Sequence, residues 1–560
     1  MLAVRCDTDR PAAVHPPGSV SAIARGPARW LGRQLPRFAV LSAAASLFLR
    51  VFHRGPYFPG WDILGASRGL FLVSTRTPRE ILRFYIDHHN DGSIGWNVYG
   101  VPLTLLPGWL ASRWPSEYWP HLITLLIVLV SLWLLARAVA LRPGESWIVV
   151  LGWGASSALL SFSVAGFAYI SSILPYALAL WIVLRQRRRW VVAILLCPFV
   201  FELSWQLHEL GRTVFVVFLV GALLLPDVPW KTRAVWFVAG MWHAWYAFHH
   251  QTFNTAHYSG MTIPALDQIG AGLRGLGTRF VTLGIDIPLL ILAGMLSAAL
   301  KRGDRWFWCG LLGCHLGLIM LLSINTGSGI GVNAIWPRRT LLLSFLCLAA
   351  AVAFYRERQP GAGLIVALLV AGNLWQLGAT MRWAAQPLDR EGRGSGFTLP
   401  YVDTTLDYMV SFFVVDWYQE LRARLDAGKK LLLLYNFSSY EENGTNPSGV
   451  LERLYLHLGH ARFTQSVFVF GSVQSRWAEL PIHPLSDIPA FVSSVSDPLE
   501  FEGYWMIHPA DSESWAEAER YRSDMTAVLN GLNAHFHLEW APPVEDRQHR
   551  VLLRFVMRAA

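Results

Sequence analysis

The sequence predicts an all-α, multi-pass membrane domain followed by an extracytoplasmic α/β domain. Three observations predict it. Of the 560 residues, 53% are hydrophobic and only 15% are charged, whereas a soluble domain carries about 25% charged residues. The apolar residues gather into about eleven runs near the roughly 20-residue length that a bilayer demands. The 26 tryptophans and 30 phenylalanines suit a chain with many membrane–water boundaries.

Residues 1–34 read as a polar, Arg- and Pro-containing cytoplasmic tail, longer than the basic segment of a signal peptide. The first apolar run holds SAAAS, a faint cleavage-like cue, and is expected to be an uncleaved first helix because further spans follow. The multi-span domain runs over 35–384. Its expected spans lie near 35–53, 118–138, 146–166, 170–185, 190–208, 212–227, 233–250, 280–300, 305–324, 339–355 and 362–380. The stretch 98–112 (VYGVPLTLLPGWLAS) is apolar but short and holds Pro102 and Pro107, so it is read as interfacial.

The distribution of arginine tests this count, because cytoplasmic loops carry the excess Lys and Arg. Arg25, Arg29, Arg33 and Arg37 precede the first span. Alternate loops then hold Arg137 and Arg142, Arg185 to Arg189, Lys231 and Arg233, Lys301 to Arg305, and Arg356 and Arg358. A full span at 98–112 would turn all of these outside. The net charge of +9 is thus assigned to topology rather than to nucleic acid. Neither a zinc spacing nor a phosphate-binding loop occurs. Of the five cysteines, four lie in apolar runs and are expected to be small buried hydrophobes.

The outer segments differ in kind. The long first loop, 54–117, the segments 250–279 and 325–338, and the end of the fifth span are rich in His, Asn, Gly and Trp. An odd number of spans also leaves residues 385–560 outside. There KKLLLLYNF, FTQSVFVFG, YWMIHP, HFHLEW and HRVLLRFVM read as strands, and the segments near 413–427, 447–458 and 512–533 as helices. Strands alternating with helices predict a small α/β domain.

Candidate site residues cluster on the outer side. Asp62, in FPGWDILGASRG, is an acid between Trp61 and Ile63 just past the first span. Apolar neighbours desolvate a carboxylate and favour its neutral form, which tunes it toward use as a base. Its bland alternative is a capping or solvated loop acid. Arg68 follows at six residues and is a candidate to orient it or to hold an anion. Asp87, His88, His89 and Asp91 carry metal-ligand chemistry, although neighbours in sequence rarely converge on one ion; substrate hydrogen bonding or a polar loop tip is preferred, with a divalent metal left open and no cofactor assigned.

In CPFVFELSWQLHELGR, Glu202 and Glu209 are spaced for one helix face. Glu202 lies in apolar sequence, where an ionisable group is costly and marks a site. His208, Glu209 and Arg212 stand at the outer end, the plain alternative being a Glu209–Arg212 surface pair. His249 and His250 close the seventh span among aromatics, where interfacial histidines are the competing reading. Arg338 and Arg339, before the tenth span, break the inside rule for arginine. Guanidinium groups at the outer face suit a lipid-linked phosphate.

This arrangement of a first span, a long outer loop with an acid near its start, about eleven spans and an outer C-terminal domain resembles the GT-C glycosyltransferases of the dolichyl-phosphate-mannose mannosyltransferase type. The resemblance covers roughly residues 35–380 as architecture. It implies an inverting sugar transfer from a polyprenyl-phosphate donor to a glycan, lipid or protein acceptor. Asp62 matches the first-loop acid, which acts as base. Many relatives carry paired acids there, whereas this chain has one. Arg338, Arg339 or Arg212 would take the donor phosphate. The expected location is a bacterial inner (plasma) membrane facing the cell envelope, with the bilayer and the lipid-linked donor as partners. The competing classes are a transporter or flippase of envelope precursors, whose charged residues would cross the bundle, and a non-catalytic membrane assembly protein.

Overall fold

The computed structural model describes residues 40–45, 61–88, 100–156, 171–207, 209–249, 302–324, 337–357, 362–385, 418–436, 448–472, 485–507, 526–545 and 551–559, with a few positions between them. The described residues are mostly helical, with one small sheet among them in the C-terminal region.

The described parts of the first-loop region, 61–88 and 100–117, are largely helical. Helix α1 (Trp61–Thr75) has no proline or β-branched run to stop it and begins within the quoted WDILGASRG. Helix α2 (Pro78–His88) starts on a capping box, in which the Thr77 amide donates to Glu80 Oε2 (2.7 Å) and the Glu80 amide donates to Thr77 Oγ1 (3.4 Å). Helix α3 (Leu105–Arg113) occupies the stretch expected to be interfacial. Nine residues span only about 14 Å, too little to cross a bilayer. It crosses α1 at backbone contact. A Cβ on Gly69 would run into the Thr104 carbonyl, and one on Gly108 into the backbone of Gly69 and Leu70.

The bundle follows with α4 (Trp119–Ala138), α5 (Trp147–Ala155), α6 (Ile173–Arg185), α7 (Trp190–Leu207), α8 (Phe215–Leu224), α9 (Trp230–His249), α10 (Arg302–Ile324), α11 (Pro337–Arg356) and α12 (Ala362–Ala385). Helix occupies every expected span range in whole or part except 280–300, which lies outside the described residues. Among the described residues, only α4 and α7 are long and apolar enough to cross a membrane on their own, so the count of eleven spans is not established by these helices. Shorter apolar helical stretches lie at Ile170–Arg185, Gly211–Leu224, Leu341–Arg356 and Ala362–Gly378. Segment 40–45 packs into the bundle: Ser42 hydrogen-bonds Asn373 of α12, whose amide donates to the Leu151 carbonyl of α5 (3.5 Å).

The two ends of the bundle differ in charge. At one, the basic end, Asp304 lies within electrostatic reach of Arg187 and Arg356 as well as of Asp227 and Glu357. There Arg233 donates to the carbonyls of Ala222, Leu225 and Val228 and so closes the C-terminal end of α8. At the other, the first-loop end, the Gly100 amide donates to the Gln206 carbonyl (2.9 Å), which ties the tail of the first loop to the end of α7.

The C-terminal part is built on helix α13 (Tyr418–Asp426), strand β1 (Lys430–Asn436), helix α14 (Ser448–Ser466), strand β2 (Val467–Ser472), helix α15 (Ile488–Ser494), and strands β3 (Phe501–Ile507), β4 (Phe536–Trp540), β5 (Val544–Glu545) and β6 (Val551–Ala559). The main sheet order is β2-β1-β3-β6-β4, with β5 pairing on β6. β1 runs parallel to β2 and β3, while β6 is antiparallel to both β3 and β4. The run LLLL in β1 is buried on both faces, as a central parallel strand requires. Leu431 and Leu433 join one core with α13 and α14, and Leu432 and Leu434 join the other with Phe491, Phe501 and Phe555. The strand expected at 463–471 begins only at Val467, because α14 continues to Ser466.

The first of those cores reaches beyond the sheet. Ala66 and Leu70 of α1 and Ala111 of α3 are fully buried in it beside Leu451, Leu454 and Tyr455 of α14. Gly459 makes this contact feasible. It breaks α14 at φ +73°, and a Cβ there would lie 3.1 Å from Pro115 Cγ.

Candidate functional site

Asp62 is the second residue of α1, not a loop residue, and its side chain lies outside the described residues. A carboxylate in a first helical turn is favoured by the helix dipole, which opposes the effect expected from its apolar neighbours. Arg68 is on the same helix. Six residues turn it about 120° from Asp62 and move it about 9 Å along the axis. The Arg68 guanidinium lies 5.5 Å over the Phe84 ring of α2 and is buried.

The HELGR segment is rearranged relative to the expectation. α7 ends at Leu207, and Glu209 starts the 3₁₀ segment Glu209–Val214, so Glu202 and Glu209 do not share one continuous helix face. Helix spacing fails there because the chain tightens around Gly211. Arg212 is buried, and its guanidinium stacks 3.9 Å from the centre of the Trp205 ring. His208 and the side chain of Glu209 lie outside the described residues.

Buried polar groups from three helices hold this 3₁₀ turn. His243 Nε2 of α9 donates to the Arg212 carbonyl (3.0 Å), and its ring stacks on Phe201 at 4.1 Å. His315 Nδ1 of α10 donates to the Leu311 carbonyl (2.9 Å), which leaves Nε2 to accept from the Tyr176 hydroxyl of α6 (2.7 Å). Tyr176 in turn accepts from the Thr213 hydroxyl (2.5 Å). Glu202 is drawn in from the other side. Gln206 Nε2 donates to Glu202 Oε1 (2.8 Å), and Gln206 Oε1 accepts the Val101 amide (3.1 Å). The fifth expected span and the first loop therefore meet through Gln206.

Beside this turn lies a groove of about 690 Å³ between α7 and α9. Cys197, Pro198, Phe201, Trp205, Trp242 and Tyr246 line it, and Glu202 and His243 are its polar groups. Pro198 inside α7 leaves the helix without one amide donor at the groove wall. Two of its lining residues, Ile194 (46% exposed) and Val238 (66% exposed), reach the surface.

Asp87 pairs with Arg83 at 3.6 Å along exposed α2. His88 ends α2 with its side chain outside the described residues, where His89 and Asp91 also lie. Among the described residues, no group of three metal-ligating side chains occurs. His249 is exposed and stacks on Trp245 at 4.9 Å, while His250 lies outside the described residues. Arg338 and Arg339 occupy the first turn of α11 behind Pro337, the end of a helix that disfavours cations, and their side chains lie outside the described residues.

A second polar cluster, invisible in the sequence, lies where the first loop meets the C-terminal part. The Glu117 carboxylate is 1% exposed. It accepts a hydrogen bond from the Tyr418 hydroxyl, and it pairs with Arg422 Nη1 at 3.4 Å and His457 Nδ1 at 3.5 Å. Burial and the nearby carboxylate push the Tyr418 hydroxyl well above its ordinary value, so it stays a donor. Arg453 is fully buried beside this cluster, 5.9 Å from the Tyr418 ring.

Sequence reasoning missed Trp205, Gln206, Tyr176, Thr213, His243 as a support of Arg212, and His315. Gln206 carried a signal, since it is a polar residue in the same apolar run as Glu202. Comparison with protein families, curated proteins and solved structures finds no match for this chain.

Proposed function

We propose that this chain is an integral membrane glycosyltransferase that moves a sugar from a polyprenyl-phosphate donor to an acceptor at the extracytoplasmic face. The observation that carries this reading is the groove between α7 and α9 with the Arg212–Trp205 stack beside it. An apolar groove suits an isoprenoid chain, and a buried guanidinium suits a phosphate. The exposed apolar residues of α4, α7 and α9, among them Trp133, Leu195 and Trp242, suit contact with lipid rather than with water. The basic end then faces the cytoplasm. The first-loop end, the groove's polar groups and the C-terminal part face outward.

In this reading the acceptor hydroxyl attacks the anomeric carbon of the donor while Asp62 takes its proton. The bond from that carbon to the phosphate oxygen breaks, and the polyprenyl phosphate leaves with its negative charge held by Arg212, with Arg338 and Arg339 as further candidates. Attack opposite the leaving group inverts the sugar. The polar groups gather at one end of the bundle, which favours an enzyme over a transport path running through it.

The test is Asp62→Asn in the full-length protein in membranes. Sugar transfer should fall by at least about 100-fold, the scale of general-base catalysis, with membrane insertion intact. Transfer at the unmodified rate would remove Asp62 from the mechanism. Mass spectrometry of lipid-linked sugars in a deletion strain identifies the donor that accumulates.

A further inference from the structure

The Glu117 cluster has no part in the chemistry proposed above, yet it is built at considerable electrostatic cost. A carboxylate withdrawn from water must be paired and hydrogen-bonded or it destabilises the fold. All the partners of Glu117 named above belong to the C-terminal part: Tyr418 and Arg422 on α13, and His457 on α14. Glu117 itself ends the first loop, two residues beyond Pro115, against which Gly459 of α14 packs. On that same contact surface α14 buries Ala66 and Leu70 of α1. The helix that begins with Trp61 and Asp62 is therefore held between α3 and the C-terminal part, and its fully buried Ala66 stands four residues beyond Asp62.

We propose that Glu117 latches the C-terminal domain onto the first-loop helices, and that this latch fixes α1 and thereby positions Asp62. Glu117, Tyr418, Arg422 and His457 are positioning residues, since none of them is placed at the reacting atoms. A buried, multiply paired charge selects one docking register where apolar contact alone allows sliding. The catalytic half of this inference rests on the assignment of Asp62 as base; the latch itself does not.

The experiment measures hydrogen exchange and transfer kinetics on the full chain in lipid nanodiscs, comparing the unmodified protein with Glu117→Gln, Tyr418→Phe and Arg422→Ala. Glu117→Gln keeps an acceptor for Tyr418 and removes the charge. Amide exchange across 61–75 should rise by at least tenfold, while the β3 and β6 amides keep their protection. The kcat for transfer should fall about tenfold at unchanged donor KM. Arg422→Ala, at a half-exposed position, should give the same pattern at about threefold and serves if the other variants fail to assemble. Unchanged exchange in α1, or equal loss of protection in α1 and in the sheet, would overturn the latch. Loosened α1 in a protein whose unmodified form transfers no sugar would support the latch and remove the glycosyltransferase reading.

Discussion

The junction around Glu117 and the turn around Arg212 both hold a charged side chain out of water, and they do so in opposite ways. At the junction the carboxylate itself is closed in, and only Arg422 stays half-exposed. Glu117 is matched by Tyr418, Arg422 and His457, and leucines from α14 seal the surroundings. At the turn the supports are equally fixed, with His243 and the Tyr176–Thr213–His315 chain behind the backbone, but an apolar groove stays open beside Arg212 and its Trp205 platform. A sealed charge specifies how two parts of a protein fit together. A charge backed by a rigid network and set beside an open groove suits the ligand-binding role proposed for it. On this difference the first cluster is assigned to assembly and the second to a ligand.

The largest effect should come from breaking the sealed region at its backbone. Gly108→Val puts a branched side chain where α3 meets the Gly69 and Leu70 backbone, which has no side-chain end to move aside. Overpacking costs about 1–3 kcal/mol, and more where backbone must shift. A loss of about 3 kcal/mol or more in thermal unfolding is expected, together with protease sensitivity across residues 61–113. A variant as stable as the parent would show that α1 and α3 do not cross at contact.

Next in size is the open region. Arg212→Ala should raise the donor KM about tenfold or more while shifting stability little, and Arg212→Lys should recover only part of it. Lysine keeps the charge but loses the planar stacking on Trp205 and the bidentate geometry for phosphate. Equal kinetics for the alanine and lysine variants would mean that stacking, not charge, is the role of this residue. A collapse in stability without a change in KM would move Arg212 to the sealed class and erase the contrast between the two clusters.

What the sequence revealed of this contrast follows from the range of the interactions. The run LLLL announced a two-faced buried strand because strand periodicity is local, and all five strands anticipated in the C-terminal region form. Asp62 was identified from its neighbours, but its helical setting was hidden by FPG, which reads as a turn while the helix begins immediately after it. The Glu202–Glu209 spacing misled because it assumed an unbroken helix through Leu207. Glu117 left no trace, since Tyr418, Arg422 and His457 are about three hundred residues away. Helical spacing reports what one element presents. It cannot report which distant element receives it.

The smallest predicted effect tests the sealed character of the junction by pH. Burial is the main cause that lowers the His457 pKa from its usual 6.5. Glu117 and Asp426 pull it up, whereas Arg422 and Arg462 push it further down. Burial lowers His460, also on α14, and its Nδ1 accepts from the Tyr455 hydroxyl at 2.7 Å. With the folded-state value depressed, the undocked chain binds more protons than the docked one below about pH 6.5. Docking is then strongest above pH 6.5 and weakens as the pH falls through the window between that value and the lower folded one. Exchange across 61–75 should accordingly rise between pH 7 and pH 5.5 beyond the intrinsic pH dependence of amide exchange. His457→Gln, which cannot titrate, should reduce that excess. If docking instead tightened on acidification, His457 would be acting as a charged partner of Glu117, and the junction would be a salt-bridge clamp rather than a seal that keeps its histidine neutral.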